Sequence, residues 1–268
     1  MNNAQSSGTL RNTIKRIPML VMLYSKVRST ANSVFGLPRF LRDWLTFSRL
    51  NQKDHRFKWA ASELYPCISD ATESTGFDRH YTFHTAWAAR VLAETRPAVH
   101  HDIGSAIYFS TIVSAFLPVR FYDVRPARLT LSNLVSDEAN LTQLPFASNS
   151  IESLSCMHVV EHVGLGRYGD TVDPQGDLKA IAELKRVVKP GGTLLFVVPL
   201  GAQGRIQFNA HRIYTAEMVQ SYFKDGFDLS SWALISDNPA DGDLLVNPPA
   251  DVVNRQSYGC GCFWFRKR

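Results

Sequence analysis

Six residues in a stretch of thirteen carry most of the reactive chemistry of this chain: His158, Glu161, His162, Arg167, Tyr168 and Asp170. An imidazole whose ordinary pKa is about 6.5 is suited to take a proton at neutral pH, and a carboxylate beside it can orient the ring. His162 is therefore the first candidate base, with Glu161 as its orienting partner. His211, in Phe208-Asn209-Ala210-His211-Arg212, is the second. A lone histidine is also commonly structural, and that reading stays open for both. In Gly164-Leu165-Gly166-Arg167-Tyr168-Gly169-Asp170, three glycines permit unusual turns. There Arg167, Tyr168 and Asp170 could grip a polar acceptor, the guanidinium being suited to phosphate or carboxylate. The competing reading is a rigid turn in which Asp170 pairs internally with Arg167. His158-Val159-Val160-Glu161-His162 also spells the HxxEH arrangement of inverted zinc proteases. That chemistry needs both imidazoles on one helical face and a further carboxylate ligand. Here the motif follows a buried strand run and is closed by Gly164, so a strand-to-loop corner is expected, without a metal.

The elements that must position these residues alternate. Apolar strand-like runs occur at 98–103, 119–122, 134–139, 151–157 and 193–198, with helical patterns between them. Such alternation predicts an α/β fold with a parallel, doubly wound sheet. A helix is expected over 79–95, with Phe83, Trp87, Val91 and Leu92 on its apolar side and Pro97 ending it. A second helix should bury Leu178, Ile181, Ala182, Leu184, Val187 and Val188, carry Lys185, Arg186 and Lys189 near its C-terminus, and stop at Pro190-Gly191-Gly192. Runs at 229–235 and 261–265 supply the last strands. Ligands of such sheets bind beyond the carboxyl ends of the strands. Asp123 ends the second run, 21 residues after Asp102. A carboxylate there can accept hydrogen bonds from both hydroxyls of a ribose. A helix cap or an ion pair with Arg125 is the alternative.

Residues 80–225 resemble class I S-adenosylmethionine (SAM)-dependent methyltransferases. The stretch Glu161–Asp170, EHVGLGRYGD, is similar to the EH(V/I)GLGRYGD mark of an uncharacterised methyltransferase-like family often seen among bacterial polysaccharide genes. The resemblance implies a Rossmann-like, seven-stranded sheet whose last two strands pair as an antiparallel edge. It implies SAM as cofactor, held first by Asp102, Gly104 and Ser105. In that loop Ala106 and Tyr108 stand where the family's second and third glycines would be, so Tyr108 must direct its side chain away. It also implies Asp123 on the ribose and the Asn140 amide oxygen on the adenine amino group, with Asp137 as the alternative. Leu141 would offer its N–H to a ring nitrogen, His158 would line the cleft, and Glu161 could instead meet the methionine portion. The implied reaction is methyl transfer to an oxygen of a sugar or glycan-linked acceptor. Two rivals are a nucleic-acid methyltransferase and a non-catalytic partner protein with a degenerate cofactor loop.

Composition frames this reading. With 268 residues, 45% hydrophobic and 20% charged, the chain suits one globular domain with an appendage. The expected division is a basic, mostly helical extension over 1–78 and a cofactor-binding domain over 79–268. Cys67, Cys156, Cys260 and Cys262 form no CxxC pair or zinc-like spacing, which predicts a reduced, cytoplasmic protein with Cys260 and Cys262 as small core residues. Residues 1–60 hold eleven Lys/Arg against two Asp, a net +9 where the whole chain is +5, so the remainder is −4. Such an arm points to an anionic partner (membrane lipid at the inner face, glycan or, less readily, nucleic acid) or to a solvated tail. Ile17–Tyr24 is shorter than the roughly 20 apolar residues a spanning helix needs. Phe40, Trp44 and Phe47 share one helical face and read as a docking stripe.

Overall fold

The computed structural model describes residues 36–53 and 56–268, so the Ile17–Tyr24 segment and much of the basic arm lie outside the described residues. The chain forms two units, 1–76 and 77–268. In the first, residues 36–50 are helical (α1) and are followed by short 3-10 turns at Asn51–Lys53 and Ala61–Glu63. The expected aromatic stripe lies on α1, and its Phe47 packs against Trp59 with ring centroids 4.9 Å apart. Among the described residues no helix is long and apolar enough to cross a membrane.

The second unit opens with α2 (Arg79–Thr95). Asp78 caps it by accepting from the Tyr81 N–H, and Arg96 closes it in the left-handed region just ahead of Pro97. Strands β1 (His100–Ile103), β2 (Val119–Asp123), β3 (Leu134–Glu138), β4 (Ile151–Met157) and β5 (Val188–Leu200) run parallel. They are joined through α3 (Ile107–Val113) and α4 (Gly176–Val187). A hairpin of β6 (Arg205–Gln207) and β7 (His211–Ile213) and α5 (Ala216–Phe223) lead into β8 (Phe227–Ile235). After β9 (Leu245–Val246) and α6 (Ala250–Val253), β10 (Gly259–Lys267) inserts between β5 and β8, antiparallel to both. The order is β3-β2-β1-β4-β5-β10-β8-β9. The sheet therefore has eight strands rather than the expected seven, because the two-residue β9 adds to the β8 edge. The antiparallel character belongs to β10 and β9, while β8 runs with the parallel set.

Two apolar cores flank this sheet, and β5 feeds both. Leu194, Phe196 and Val198 face one cluster with Ile181, Leu184 and Phe223; Leu195 and Val197 face the other with Trp87, Leu92 and Phe109. Burial on both sides explains the unbroken apolar run in the sequence. Two details of the α4 expectation change. Leu178, 43% exposed, and Ala182 lie on the solvent side, and Ala180 takes the inner position. Pro190-Gly191-Gly192 does not stop the helix, since Val188 already pairs with Ile151. The tripeptide instead bulges out of the β4–β5 ladder before pairing resumes at Ser153 and Thr193. A β-carbon on Gly192 would come within 2.9 Å of the Glu152 carbonyl, which explains glycine there.

Polar groups tie β1 to β4. Ser155 donates to Asp102 Oδ1 at 2.5 Å and Ser110 donates to Asp102 Oδ2 at 2.6 Å. With its single proton on the carboxylate, Ser155 Oγ accepts from His100 Nε2 at 2.9 Å, so His100 Nδ1 accepts from Ser153 at 2.8 Å. Burial pushes the His100 pKa down to about 3, with His101 adding to the shift, so the ring stays neutral. Ser155→Ala removes a donor to a buried carboxylate and an acceptor for a buried imidazole. Urea unfolding should show a loss of about 2–3 kcal/mol.

Candidate active site

The carboxyl ends of β1, β2 and β4 open a crevice around Gly104. Its φ of 65° is a left-handed conformation, and its N–H donates to the Tyr122 carbonyl at 2.7 Å. A β-carbon at Gly104 would sit 3.1 Å from Val159 Cγ1 and 3.6 Å from Asp123 Oδ2. Glycine thus keeps open a space walled by Val159 and Asp123. The Asp123 carboxylate accepts from the Arg125 N–H through Oδ1 at 2.8 Å, and among the described residues Oδ2 has no hydrogen-bond partner. Asp123 neither caps a helix nor pairs with the Arg125 guanidinium, which lies over the Tyr168 ring at 4.8 Å.

Three of the expected cofactor contacts point elsewhere. Asp102 is wholly buried with both oxygens held by serines, so it fastens strands and does not face the crevice. Burial raises its pKa against the hydrogen bonds from Ser105, Ser110 and Ser155. Ser105 is buried too, and its hydroxyl accepts from the Met157 N–H at 3.2 Å. The Asn140 amide oxygen accepts from the Thr142 N–H at 2.9 Å and from the Thr142 hydroxyl at 2.8 Å, closing a local turn. It is therefore engaged within its own loop. Asp137 is exposed on β3, paired in register with Tyr122. The Leu141 side chain is in the core, and among the described residues no partner takes its N–H. Tyr108 sits in α3 with 45% of its surface exposed.

The corner after β4 gathers the histidines. His158 adopts φ 57° and is buried; its Nδ1 donates to Glu161 Oε1 at 2.8 Å, and its Nε2 faces Cys260 Sγ at 3.3 Å. His80, Tyr81 and His84 from the first turns of α2 surround the same ring, with centroids 5.5, 5.4 and 5.1 Å away. Burial, and then the neighbouring His158, hold the His80 pKa down to about 4 and that of His84 to about 3. Glu161 lies in a 3-10 turn, Val160–His162, and is 1% exposed; its Oε2 has no partner among the described residues. His162 Nε2 is 3.8 Å from Glu161 Oε1. His162 Nδ1 lies 2.6 Å from the Ala210 carbonyl, which can only accept, so Nδ1 carries the proton and Nε2 is the basic nitrogen. Burial lowers the His162 pKa, with Glu161 and the Ala210 bond opposing. His211 stacks on Tyr258 at 5.0 Å, bonds Gln207 at 2.8 Å and has its pKa lowered, chiefly by burial. Its ring centroid is 6.3 Å from that of His162, so β4 and the β6–β7 hairpin bring both candidate bases together.

The glycine loop is fixed at its base and open at its tip. Asp170 Oδ2 accepts from the Gly164 N–H at 2.7 Å and Oδ1 from the Tyr168 N–H at 3.3 Å. Desolvation would raise its pKa, and these backbone bonds outweigh it and lower it. Asp170 is thus a clasp within the loop, neither an acceptor-binding group nor the ion-pair partner of Arg167. Arg167 donates to the Ala210 carbonyl at 3.0 Å and lies 5.1 Å from the Tyr168 ring; both side chains are exposed. The pattern of the sequence did not single out Arg212. This buried guanidinium donates to the Val163 carbonyl at 2.6 Å and the Pro174 carbonyl at 3.2 Å, and meets Asp177 Oδ1 at 3.5 Å. Tyr214 donates to the other Asp177 oxygen at 3.0 Å. Gly164 has φ 80°, and a β-carbon there would fall 2.1 Å from the Asp173 carbonyl. Gly164→Ala should therefore destabilise the protein by at least about 2 kcal/mol in urea titrations, through backbone strain and displacement of Asp173.

Residues 131–241 match a family model described as "Caenorhabditis protein of unknown function, DUF268". No curated protein sequence matches the chain. Among solved structures, the chain is similar to the MccD protein, with a TM-score of 0.51 and 11% identity over 69% of this chain and 96% of that one. This likeness shows the α/β fold with its mostly parallel central sheet. Two further similar structures are methyltransferases with bound S-adenosylhomocysteine. One is the 1,6-didemethyltoxoflavin-N1-methyltransferase of Burkholderia thailandensis (TM-score 0.48, 14% identity, 69% of this chain and 78% of that one). The other is N-methyltransferase NodS of Bradyrhizobium japonicum WM9 (TM-score 0.47, 15% identity, 70% and 87%).

Proposed function

We propose that this chain is a SAM-dependent methyltransferase acting on a hydroxyl of a sugar or glycan-linked acceptor. The observation that supports this most is the fixed tautomer of His162 in the corner whose Val159 walls the Gly104–Asp123 crevice. The residues present fit the cofactor: the space that a β-carbon on Gly104 would fill, the unpartnered Asp123 Oδ2, and the Leu141 N–H suit a ribose and an adenine edge. Asp123 and Leu141 would hold the nucleoside there. Bound SAM would supply a methyl group on a positively charged sulfur, open to in-line displacement.

The protein's own work is placement and proton transfer. The His162 Nε2, neutral at pH 7, takes the proton of the acceptor hydroxyl, and Glu161 at 3.8 Å stabilises the imidazolium that results. Arg125 and Arg167, whose guanidiniums lie 4.8 and 5.1 Å from the Tyr168 ring, offer cationic groups for a phosphate or carboxylate substituent.

Calorimetry tests the cofactor part. Asp123→Ala should weaken SAM binding more than tenfold and Asn140→Ala less than about threefold, since the Asn140 oxygen serves its own loop. No heat of binding for the parent chain at millimolar SAM or S-adenosylhomocysteine would favour the non-catalytic rival. Radiolabelled SAM with fractionated cell extracts identifies the acceptor. With it in hand, His162→Gln should lower kcat by about 10²–10⁴-fold without changing SAM affinity. Because the neutral ring is the active form and its pKa is lowered from 6.5, kcat/KM should fall on acidification with a midpoint below 6.5. A midpoint above 6.5 would remove His162 as the base.

A further inference from the structure

We infer that His80, His158 and Cys260 form a binding site for a divalent zinc ion. The three residues come from the first turn of α2, the end of β4 and the start of β10, and one ligand atom from each lies within 4.8 Å of the other two. His158 Nε2 and Cys260 Sγ are already 3.3 Å apart. Zinc holds imidazole nitrogen at about 2.0–2.1 Å and thiolate sulfur at about 2.3 Å, which places tetrahedral ligand atoms roughly 3.5 Å from one another. The separations in the structure, 3.3 Å for His158–Cys260 and no more than 4.8 Å for the others, bracket that spacing.

The surroundings are those of a metal site. A histidine that binds metal through one nitrogen characteristically donates its other N–H to a carboxylate, which fixes the tautomer and raises ligand basicity. Glu161 does this for His158: the carboxylate can only accept, so Nδ1 carries the proton and the Nε2 lone pair faces Cys260. A thiol-to-imidazole hydrogen bond accounts for His158 and Cys260 alone. It does not account for His80 at the same point, nor for a buried carboxylate whose Oε2 lacks a partner among the described residues. A dication compensates that charge. One helical turn further along α2, His84 donates Nδ1–H to the His80 carbonyl at 2.6 Å, and its buried Nε2 has no partner among the described residues. Thiolate with two imidazoles selects zinc over magnesium or calcium. Three protein ligands leave a fourth position for water or another donor. On binding, the Cys260 thiol releases its proton to solvent and the sulfur lone pair forms the bond to the ion.

This site stands whether or not the chain transfers methyl groups, and its test is separate. The full chain, stripped with chelator and re-equilibrated with zinc chloride, should hold one zinc per chain by elemental analysis. Cobalt in its place should give a thiolate charge-transfer band. Cys260→Ser and His80→Gln should each weaken zinc at least about 100-fold, and Glu161→Gln by about 10–100-fold. Cys67→Ser, at an exposed thiol, should retain both zinc and band. Far-ultraviolet circular dichroism confirms that each variant is folded; if Cys260→Ser does not fold, His80→Gln alone decides. A folded parent chain that binds no zinc, or one zinc retained in His80→Gln, overturns the inference. SAM binding without zinc overturns this site only, and zinc without SAM overturns methyl transfer only.

Discussion

The buried carboxylate of Glu161 dictates the layout of the carboxyl end of the sheet. An ionised group removed from water must recover its hydration through hydrogen bonds or opposite charge. Glu161 finds His158 at 2.8 Å and His162 at 3.8 Å, both on the same oxygen. That arrangement requires the chain to turn sharply where β4 ends, and His158 accepts the left-handed conformation that few non-glycine residues adopt. With His158 so turned, its ring reaches α2 and β10, and the helix that precedes the sheet in sequence closes over the corner that follows β4. One carboxylate thereby connects the candidate base His162 to the group of His80, His158 and Cys260.

A second buried charge, Arg212, holds the opposite wall. Its guanidinium is satisfied by the carbonyls of Val163, Asp173 and Pro174 and by Asp177, so little of its hydrogen-bonding capacity is lost on burial. These contacts bind β7 to both ends of the glycine loop. The adjacent His211 and, through the Ala210 carbonyl, His162 take their positions from the same hairpin. The loop tip with Arg167 and Tyr168 remains exposed, so rigidity at the base and access at the tip coexist within ten residues.

The sheet was legible because apolar runs buried on both faces leave a plain mark; α2 and β4 have the bounds that the pattern predicts. The divided loyalties of polar residues were not legible. Asp102 and Asp123 look alike in sequence, each closing a strand. Only the placement of Ser110 and Ser155 shows that one faces inward and the other the crevice. The adenine contact that the resemblance implies for Asn140 overlooks an Asx turn with Thr142, which depends on local backbone geometry. His80, His158 and Cys260, whose ligand atoms lie within 4.8 Å of one another, are separated by 78 and 102 positions, so no spacing rule could assemble them. The HxxEH spelling misleads for the same reason: His158 and His162 serve different partners from a corner, where a helix would have aligned them.

The turn after β1, which has one glycine where the methyltransferase resemblance leads one to expect three, has a physical explanation in where the chain turns. Only Gly104 needs a positive φ, because only there must the backbone leave β1 while staying hydrogen-bonded to Tyr122. By Ala106, φ is −59°, and the residue serves as the N-cap of α3, a conformation open to any L-amino acid. Tyr108 is then already helical, and its Cα–Cβ bond follows the helix surface outward. Ser105 reinforces the turn by accepting from Met157 in the neighbouring strand. A helix that begins this early replaces the glycines at the later two positions with backbone hydrogen bonding. Glycine is therefore needed at position 104, where φ is positive and a β-carbon would crowd Val159, and not at 106 or 108.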